Sequence, residues 1–250
     1  MFPLKNFKLI LEYDGTHFHG WQIQSQGERT VQGEVQSVLF QVFKKKVIGI
    51  ASGRTDAGVH ALGQVVNFKV RTRMTPDAVR KAMTCYLPSD IVIKNVSEVG
   101  LKFHAQHSAL SKTYRYTILN RECPSALERN YSHFYPYQLN LKRMRQEAAS
   151  LLGKKDFKSF EAADQKRGKH STVRHVTAIK IIKKKDWVYM DITADGFLYK
   201  MVRNIVGTLL DAGTERLHKG ALEVILDQKN RGMAGDTAQA QGLCLMEVKY

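Results

Sequence analysis

The chain has 250 residues, of which 43% are hydrophobic, so it can bury the core of one large or two small domains. Lysine and arginine outnumber aspartate and glutamate by 39 to 23, and the net charge of +16 predicts a polyanionic partner, with nucleic acid favoured over a membrane. The start of the chain lacks a long apolar run, and the three cysteines are far apart, so a cytoplasmic location without disulfides or zinc is expected.

The first hundred residues alternate strand and helix patterns in the order β-α-β-β-α-β. The predicted elements are a strand over 5–14, a helix over 31–45, strands over 47–53 and 62–70, a helix over 76–86 and a strand over 91–99. Thr75 before Pro76 is typical of a helix start, because threonine caps free N–H groups and proline suits the first helical position.

The second half repeats this order. The predicted elements are a strand over 111–119, a helix over 141–152, strands over 173–183 and 187–193, a helix over 197–211 and a strand over 243–250, with inserts over 121–137, 156–171 and 217–230. The pattern predicts an α+β protein of two ferredoxin-like or RRM-like split β-α-β halves, whose mainly antiparallel sheets meet at a central basic cleft. We expect an N-terminal domain over 1–107 and a C-terminal domain over 108–250.

Four basic runs are spread along the chain instead of forming one tail. They are Lys44–Lys46, Lys154–Lys155, Lys166–His170 and Lys183–Lys185. Each run alone is typical of a solvated surface, but together they favour a broad surface that follows phosphates.

The stretch Gly53–His60 carries the clearest functional signal, because it places an acid and a base in a loop between two predicted strands. Gly58 can supply a positive φ, and Arg54 lies close enough to hold the Asp56 carboxylate ionised. Such an aspartate can act as a nucleophile or a base. The alternative is a hairpin turn in which the aspartate only caps its own backbone.

The chemistry available to Asp56 is narrowed by the motifs that the sequence lacks. There is no phosphate-binding glycine-rich loop, no dinucleotide fingerprint and no zinc deaminase signature, so neither cofactor nor metal is implied. A single carboxylate acting on a polyanion leaves three candidates: hydrolysis of an N-glycosidic bond, cleavage of a phosphodiester, and isomerisation of a nucleoside.

Two segments of the second half could complete a site. In Lys112–Tyr116, the alternation places Tyr114 and Tyr116 on one side of a strand, where they could stack a base or simply pack the core. Arg203 lies inside an otherwise apolar helical run, and a buried arginine is costly unless it meets a carboxylate. Asp56 is the partner that we predict for it.

Taken in order, these motifs resemble the tRNA pseudouridine synthases of the TruA type over nearly the whole chain. The matching stretches are 11–15, 20–22, 53–60, 63–66, 87–91, 103–105, 114–116, 151–153, 156–157, 159–160, 201–207 and 242–243. The resemblance implies a homodimer that converts uridine to pseudouridine at positions 38, 39 and 40 of the tRNA anticodon stem-loop without a cofactor.

The resemblance also implies roles for single residues. Asp56 is then catalytic, Arg54 helps to extrude the base, and Arg203 pairs with the catalytic carboxylate. Tyr114 lies against the target uracil, where it is also a candidate base for the proton at C5, and Leu243 joins the substrate-binding residues.

Two stretches depart from the family pattern. Gln106 and His107 stand where an arginine is usual, and Thr84–Tyr86 replace expected asparagines. These departures leave open a related enzyme that modifies another RNA, such as ribosomal RNA. A noncatalytic RNA-binding protein or RNA chaperone is the alternative from a different functional class.

Overall fold

The computed structural model describes residues 2–25, 27–163 and 170–250. Residues up to Leu110 form one compact unit together with Cys244–Tyr250, and Ser111–Leu243 form a second. The domains expected at 1–107 and 108–250 stay a prediction beside this division. Of the basic run Lys166–His170, only His170 belongs to the described residues.

The first unit is built around a sheet, and its elements follow the predicted order β-α-β-β-α-β. Its elements are β1 (Leu4–Tyr13), α1 (Val31–Phe43), β2 (Ile50–Ala51), β3 (His60–Arg71), α2 (Pro76–Thr84) and β4 (Ile91–Val99). The sheet order is β4-β1-β3 with β2 on the other edge of β3, and these pairs are all antiparallel. The fold predicted for this half is confirmed.

The free edge of β3 is shared by two strands. Its later part pairs with β2 at Val66 and Asn67, while His60 and Ala61 pair in parallel with the final strand, β10 (Leu243–Lys249). A Cβ atom on Gly63 would lie 2.5 Å from a backbone oxygen of β10, so the two backbones are in close contact. This parallel pairing was not predicted, because alternation along a strand does not identify its neighbour.

The second unit is also a sheet with helices. Its elements are β5 (Ser111–Leu119), β6 (His133–Phe134), α3 (Leu141–Ala149), β7 (Gly153–Asp156), β8 (Val173–Lys184), β9 (Trp187–Ala194), α4 (Met201–Gly213) and α5 (Ala221–Gln228). The order β5-β9-β8-β7 is antiparallel, and β6 adds a short parallel pair to β5. The short elements β6, β7 and α5 were not assigned from the sequence.

Some predicted bounds were wrong for identifiable reasons. The predicted helix at 197–211 begins only at Met201, because Lys200 adopts a left-handed conformation with φ of 56°. The helix predicted to reach residue 45 ends at Phe43, because Lys44 is left-handed as well.

Over the described residues, no helix has the length and apolar character needed to cross a membrane.

Candidate active site

The loop that carries Asp56 joins β2 to β3 and is anchored on both sides of the aspartate. Thr55 and Val59 are buried, whereas Asp56 is half-buried and Arg54 is exposed. The Val59 N–H donates to the Asp56 carbonyl at 3.2 Å, and Gly58 has the positive φ, 75°, that its position predicted. The buried anchors therefore leave the charged side chains of the loop accessible.

A second segment, from Gly15 to Gln32, binds the backbone of this loop. The Trp21 N–H donates to the Thr55 carbonyl at 3.0 Å, and the Gly58 N–H donates to the Phe18 carbonyl at 3.3 Å. Gly20 has a φ of 87°, and a Cβ atom there would lie only 2.8 Å from the Thr55 oxygen. Two motifs that are separate in the sequence therefore form one structural piece.

A buried polar network supports the loop from below. The Tyr13 hydroxyl lies 2.8 Å from Thr55 Oγ1, and Gln64 Nε2 donates to the Gly53 carbonyl at 2.9 Å. Ser52 Oγ donates to Gln64 Oε1 at 2.8 Å. Burial raises the pKa of Tyr13 above its ordinary value, so its hydroxyl stays protonated. This network fixes Gly53 and Thr55, which lie on the two sides of the exposed Arg54 just before Asp56.

An ion pair supports the Gly15–Gln32 segment in turn. The Arg29 guanidinium binds Asp90 through two hydrogen bonds, at 2.6 and 3.0 Å, and lies 4.2 Å from the centre of the Phe18 ring. Phe18 is the residue whose carbonyl accepts from Gly58. The motif that ends at Asp90 thus contributes to the same arrangement.

Sequence reasoning assigned no role to these supporting residues. Gln64 had a detectable signal in the sequence, because it is the one polar residue in the apolar run 61–66, and the structure shows it fully buried. Arg29 had none, since an arginine in a loop is usually a solvated surface residue.

Tyr114 lies on β5 and is 7% exposed. Its ring packs edge-on against Phe197, with centroids 5.2 Å apart. Arg115 points to the other side of the sheet, where it forms two hydrogen bonds with Asp191 at 2.7 and 2.8 Å. The predicted placement of Tyr114 and Tyr116 on one side of this strand is therefore confirmed.

Arg203 lies on α4, as the sequence indicated, and is half-buried. Its Nε donates to the Ala238 carbonyl at 2.7 Å, and the Ala238 N–H donates back to the Arg203 carbonyl at 3.1 Å. Leu243 is buried in the same unit. The ion pair of Asp56 with Arg203 would join two different units and stays a prediction, as do the other assigned roles.

Across the described ranges, no three or more histidine, cysteine, aspartate or glutamate side chains are grouped so that they could hold a metal ion. Asp56 has Arg54 as its charged neighbour along the loop, and Asp14 at the end of β1 is bonded to the backbone and hydroxyl of Thr16 at 2.9 and 2.5 Å. The Asp14 carboxylate is thus bonded within the chain.

Comparisons with known proteins agree on one family. A family model described as tRNA pseudouridine synthase matches residues 9–108 and 148–250, which include Asp56 and Arg203 but not Tyr114. A tRNA pseudouridine synthase A of Caldicellulosiruptor bescii is 40% identical over 247 residues, covering 99% of this chain and 100% of the relative. Relatives of Clostridium acetobutylicum, with the same name, and of Bacillus cereus, named tRNA pseudouridine synthase A 2, are 41% and 39% identical over the same shares.

Proposed function

We propose, because the chain belongs to the family of tRNA pseudouridine synthases, that it isomerises uridine to pseudouridine in tRNA with Asp56 as its catalytic residue. The substrate uridines that we propose are those at positions 38, 39 and 40 of the anticodon stem-loop. The observation that carries the proposal is the Asp56 loop, which three separate parts of the chain hold in one conformation while the carboxylate stays half-exposed.

The reaction needs few groups, but it needs them well placed. The N1–C1′ bond of the uridine breaks, the uracil turns, and a C5–C1′ bond forms; C5 loses a proton and N1 gains one. Because no atom is added or removed, a positioned carboxylate and a wall that retains the detached base are sufficient in principle. A loop fixed by buried hydrogen bonds reduces the reorganisation that Asp56 would undergo during the reaction.

The remaining assigned residues fit roles around this carboxylate. Arg54 is exposed beside it, as suits a residue that displaces the target base from its stack. Tyr114 offers a rigid aromatic wall, and Leu243 an apolar one, for the uracil. We propose that Arg203 pairs with Asp56 and holds it ionised.

The positive charge of the chain supports an RNA partner. A net charge of +16 favours binding to phosphates by release of counterions, whatever the sequence of the RNA. A homodimer and a cytoplasmic location complete the proposal.

The direct test compares the protein with its Asp56→Asn variant on unmodified tRNA that carries uridines at positions 38, 39 and 40. Pseudouridine is mapped by carbodiimide treatment and reverse-transcription stops, and RNA affinity is measured by filter binding. Asp56→Asn should abolish the stops and leave affinity within about twofold, because one charge is lost from a strongly basic surface.

Asp186→Asn is the matched control, since it removes the same charge from an exposed turn between β8 and β9. It should keep full activity. Equal loss of stops and of binding in Asp56→Asn would refute an active-site role. Stops on ribosomal RNA but not on tRNA would refute the substrate, and no stops on either RNA would favour a noncatalytic binder.

A further inference from the structure

We propose that Tyr116 is a positioning residue for Arg203 and acts through the three residues Thr237–Gln239, here called the strap. The strap connects α5 to β10 and has no regular secondary structure. Its first two residues contact α4, where the middle one contacts Arg203, and its third residue contacts β5. The inference rests on the proposed function of Arg203.

The first two residues of the strap are bound to α4. Thr237 Oγ1 donates to Asn204 Oδ1 at 2.6 Å, and Asn204 is fully buried. Ala238 is bonded to Arg203 in both directions, since its carbonyl accepts from the side chain and its N–H donates to the backbone. The direction of the Arg203 guanidinium is thus coupled to the position of the Ala238 carbonyl.

The third residue of the strap is bound to Tyr116 on β5. The Tyr116 hydroxyl donates to the Gln239 carbonyl at 2.7 Å, and the ring is fully buried. Burial raises the pKa of Tyr116 above its ordinary value, against an opposing effect of the Arg203 charge, so the hydroxyl keeps its proton and remains a donor. Tyr116 therefore holds the strap from the sheet while α4 holds it from the other end.

His133 completes this arrangement. Its Nδ1 lies 3.0 Å from the Tyr116 hydroxyl. The single hydroxyl proton is committed to the Gln239 carbonyl, so Nδ1 must carry a hydrogen and donate to the tyrosine oxygen. Burial lowers the pKa of His133, which favours the neutral ring. The tyrosine is thereby fixed by a donor on one side and an acceptor on the other.

Replacement of Tyr116 by phenylalanine separates this role from packing. The ring also contacts Gly242, three residues beyond the strap, because a Cβ atom there would lie 2.8 Å from the Tyr116 Cζ atom. Tyr116→Phe keeps that contact and removes only the hydroxyl. The Gln239 carbonyl then loses its partner, and the Ala238 carbonyl that directs Arg203 loses one of its two supports.

The experiment measures turnover and backbone exchange in Tyr116→Phe, with Tyr189→Phe as the matched control. Tyr189 lies on the opposite side of the same sheet, under Arg115, and its hydroxyl has no hydrogen bond within the part of the chain that the structure describes. We expect Tyr116→Phe to lower kcat for pseudouridine formation about 10-fold with KM unchanged, because a displaced Arg203 no longer orients the carboxylate. We also expect faster amide hydrogen exchange in the peptide 236–242. Tyr189→Phe should change neither.

Exchange keeps the inference testable if the proposed function fails. Should the protein form no pseudouridine in any RNA, faster exchange at 236–242 in Tyr116→Phe alone would still support the coupling of Tyr116 to the strap. Unchanged exchange would overturn it whatever the activity. A fall in kcat that is matched by Tyr189→Phe, or by a proportional fall in folded protein, would overturn it as well.

Discussion

Replacement of Gly20 by alanine should impair the active site more than it impairs the fold. Gly20 has a φ of 87°, and an added Cβ atom would lie 2.8 Å from the Thr55 oxygen and 3.1 Å from the Asp56 carbonyl carbon. The backbone conformation alone costs alanine about 1 kcal/mol. The contact with Thr55 also forces the Asp56 loop to move by several tenths of an ångström. Together, the two effects should lower the free energy of unfolding by about 2–3 kcal/mol.

The expected loss of stability corresponds to a fall in Tm of about 4–12 °C for a chain of this size, which thermal unfolding measures. Turnover should fall by about 10- to 100-fold, because catalysis depends on placement of the carboxylate within less than 1 Å. Gly153→Ala is the control, since Gly153 has a φ of 92° and nothing within 4 Å of an added Cβ. It should show the stability loss of about 1 kcal/mol and normal turnover. Equal turnover in the two variants would refute the link between Gly20 and the loop.

Three further outcomes follow from the charges. Replacement of the exposed lysines Lys44–Lys46 by glutamine should lower the slope of log Kd for RNA against log salt by about one for each phosphate contact that is lost. An unchanged slope would show that these lysines do not touch RNA. Glu147→Gln should lower the free energy of unfolding, measured by thermal denaturation, by about 2 kcal/mol. The reason is that this buried carboxylate accepts hydrogen bonds from two backbone N–H groups at the start of α5. Burial alone would raise the pKa of Glu161, but Lys158 and His170 lower it overall. The ionised group therefore stabilises the fold above its ordinary pKa of about 4.3 and stops doing so as the pH falls further, so Glu161→Gln should flatten the decline of Tm between about pH 5 and pH 3.

The sequence predicted regular elements best where local chemistry decides them. The strands β4 and β5 have the predicted bounds, and Thr75 caps α2 by accepting from the Ala78 N–H at 3.3 Å. β2 is only two residues long, although the apolar pattern predicted seven. The difference arises because a strand extends only where a neighbour pairs with it, and β3 offers β2 just two positions.

The sequence predicted some features of the candidate site, but it did not predict the contacts that hold the Asp56 loop. The position of Asp56 in a loop, and the faces of β5, follow from short-range patterns. The contacts that hold the loop join residues far apart, such as Tyr13 with Thr55 and Arg29 with Asp90, which are 42 and 61 positions apart. Spacing along one chain gives no information on which distant polar groups will meet, so these supports emerge only in three dimensions.

The parallel pairing of β3 with β10 can form only late in the synthesis of the chain. The strand that follows the Asp56 loop pairs at His60 and Ala61 with Cys244 and Leu245, which leave the ribosome long after the rest of the first unit. At a synthesis rate of roughly 5–20 residues per second, about 7–27 s pass before β10 can pair with that edge. During this interval the backbone next to the Asp56 loop is an open strand edge in a nascent chain, a state in which strands pair with wrong partners. A ribosome that stalls between residues 110 and 244 would therefore hold a first unit with this edge still open.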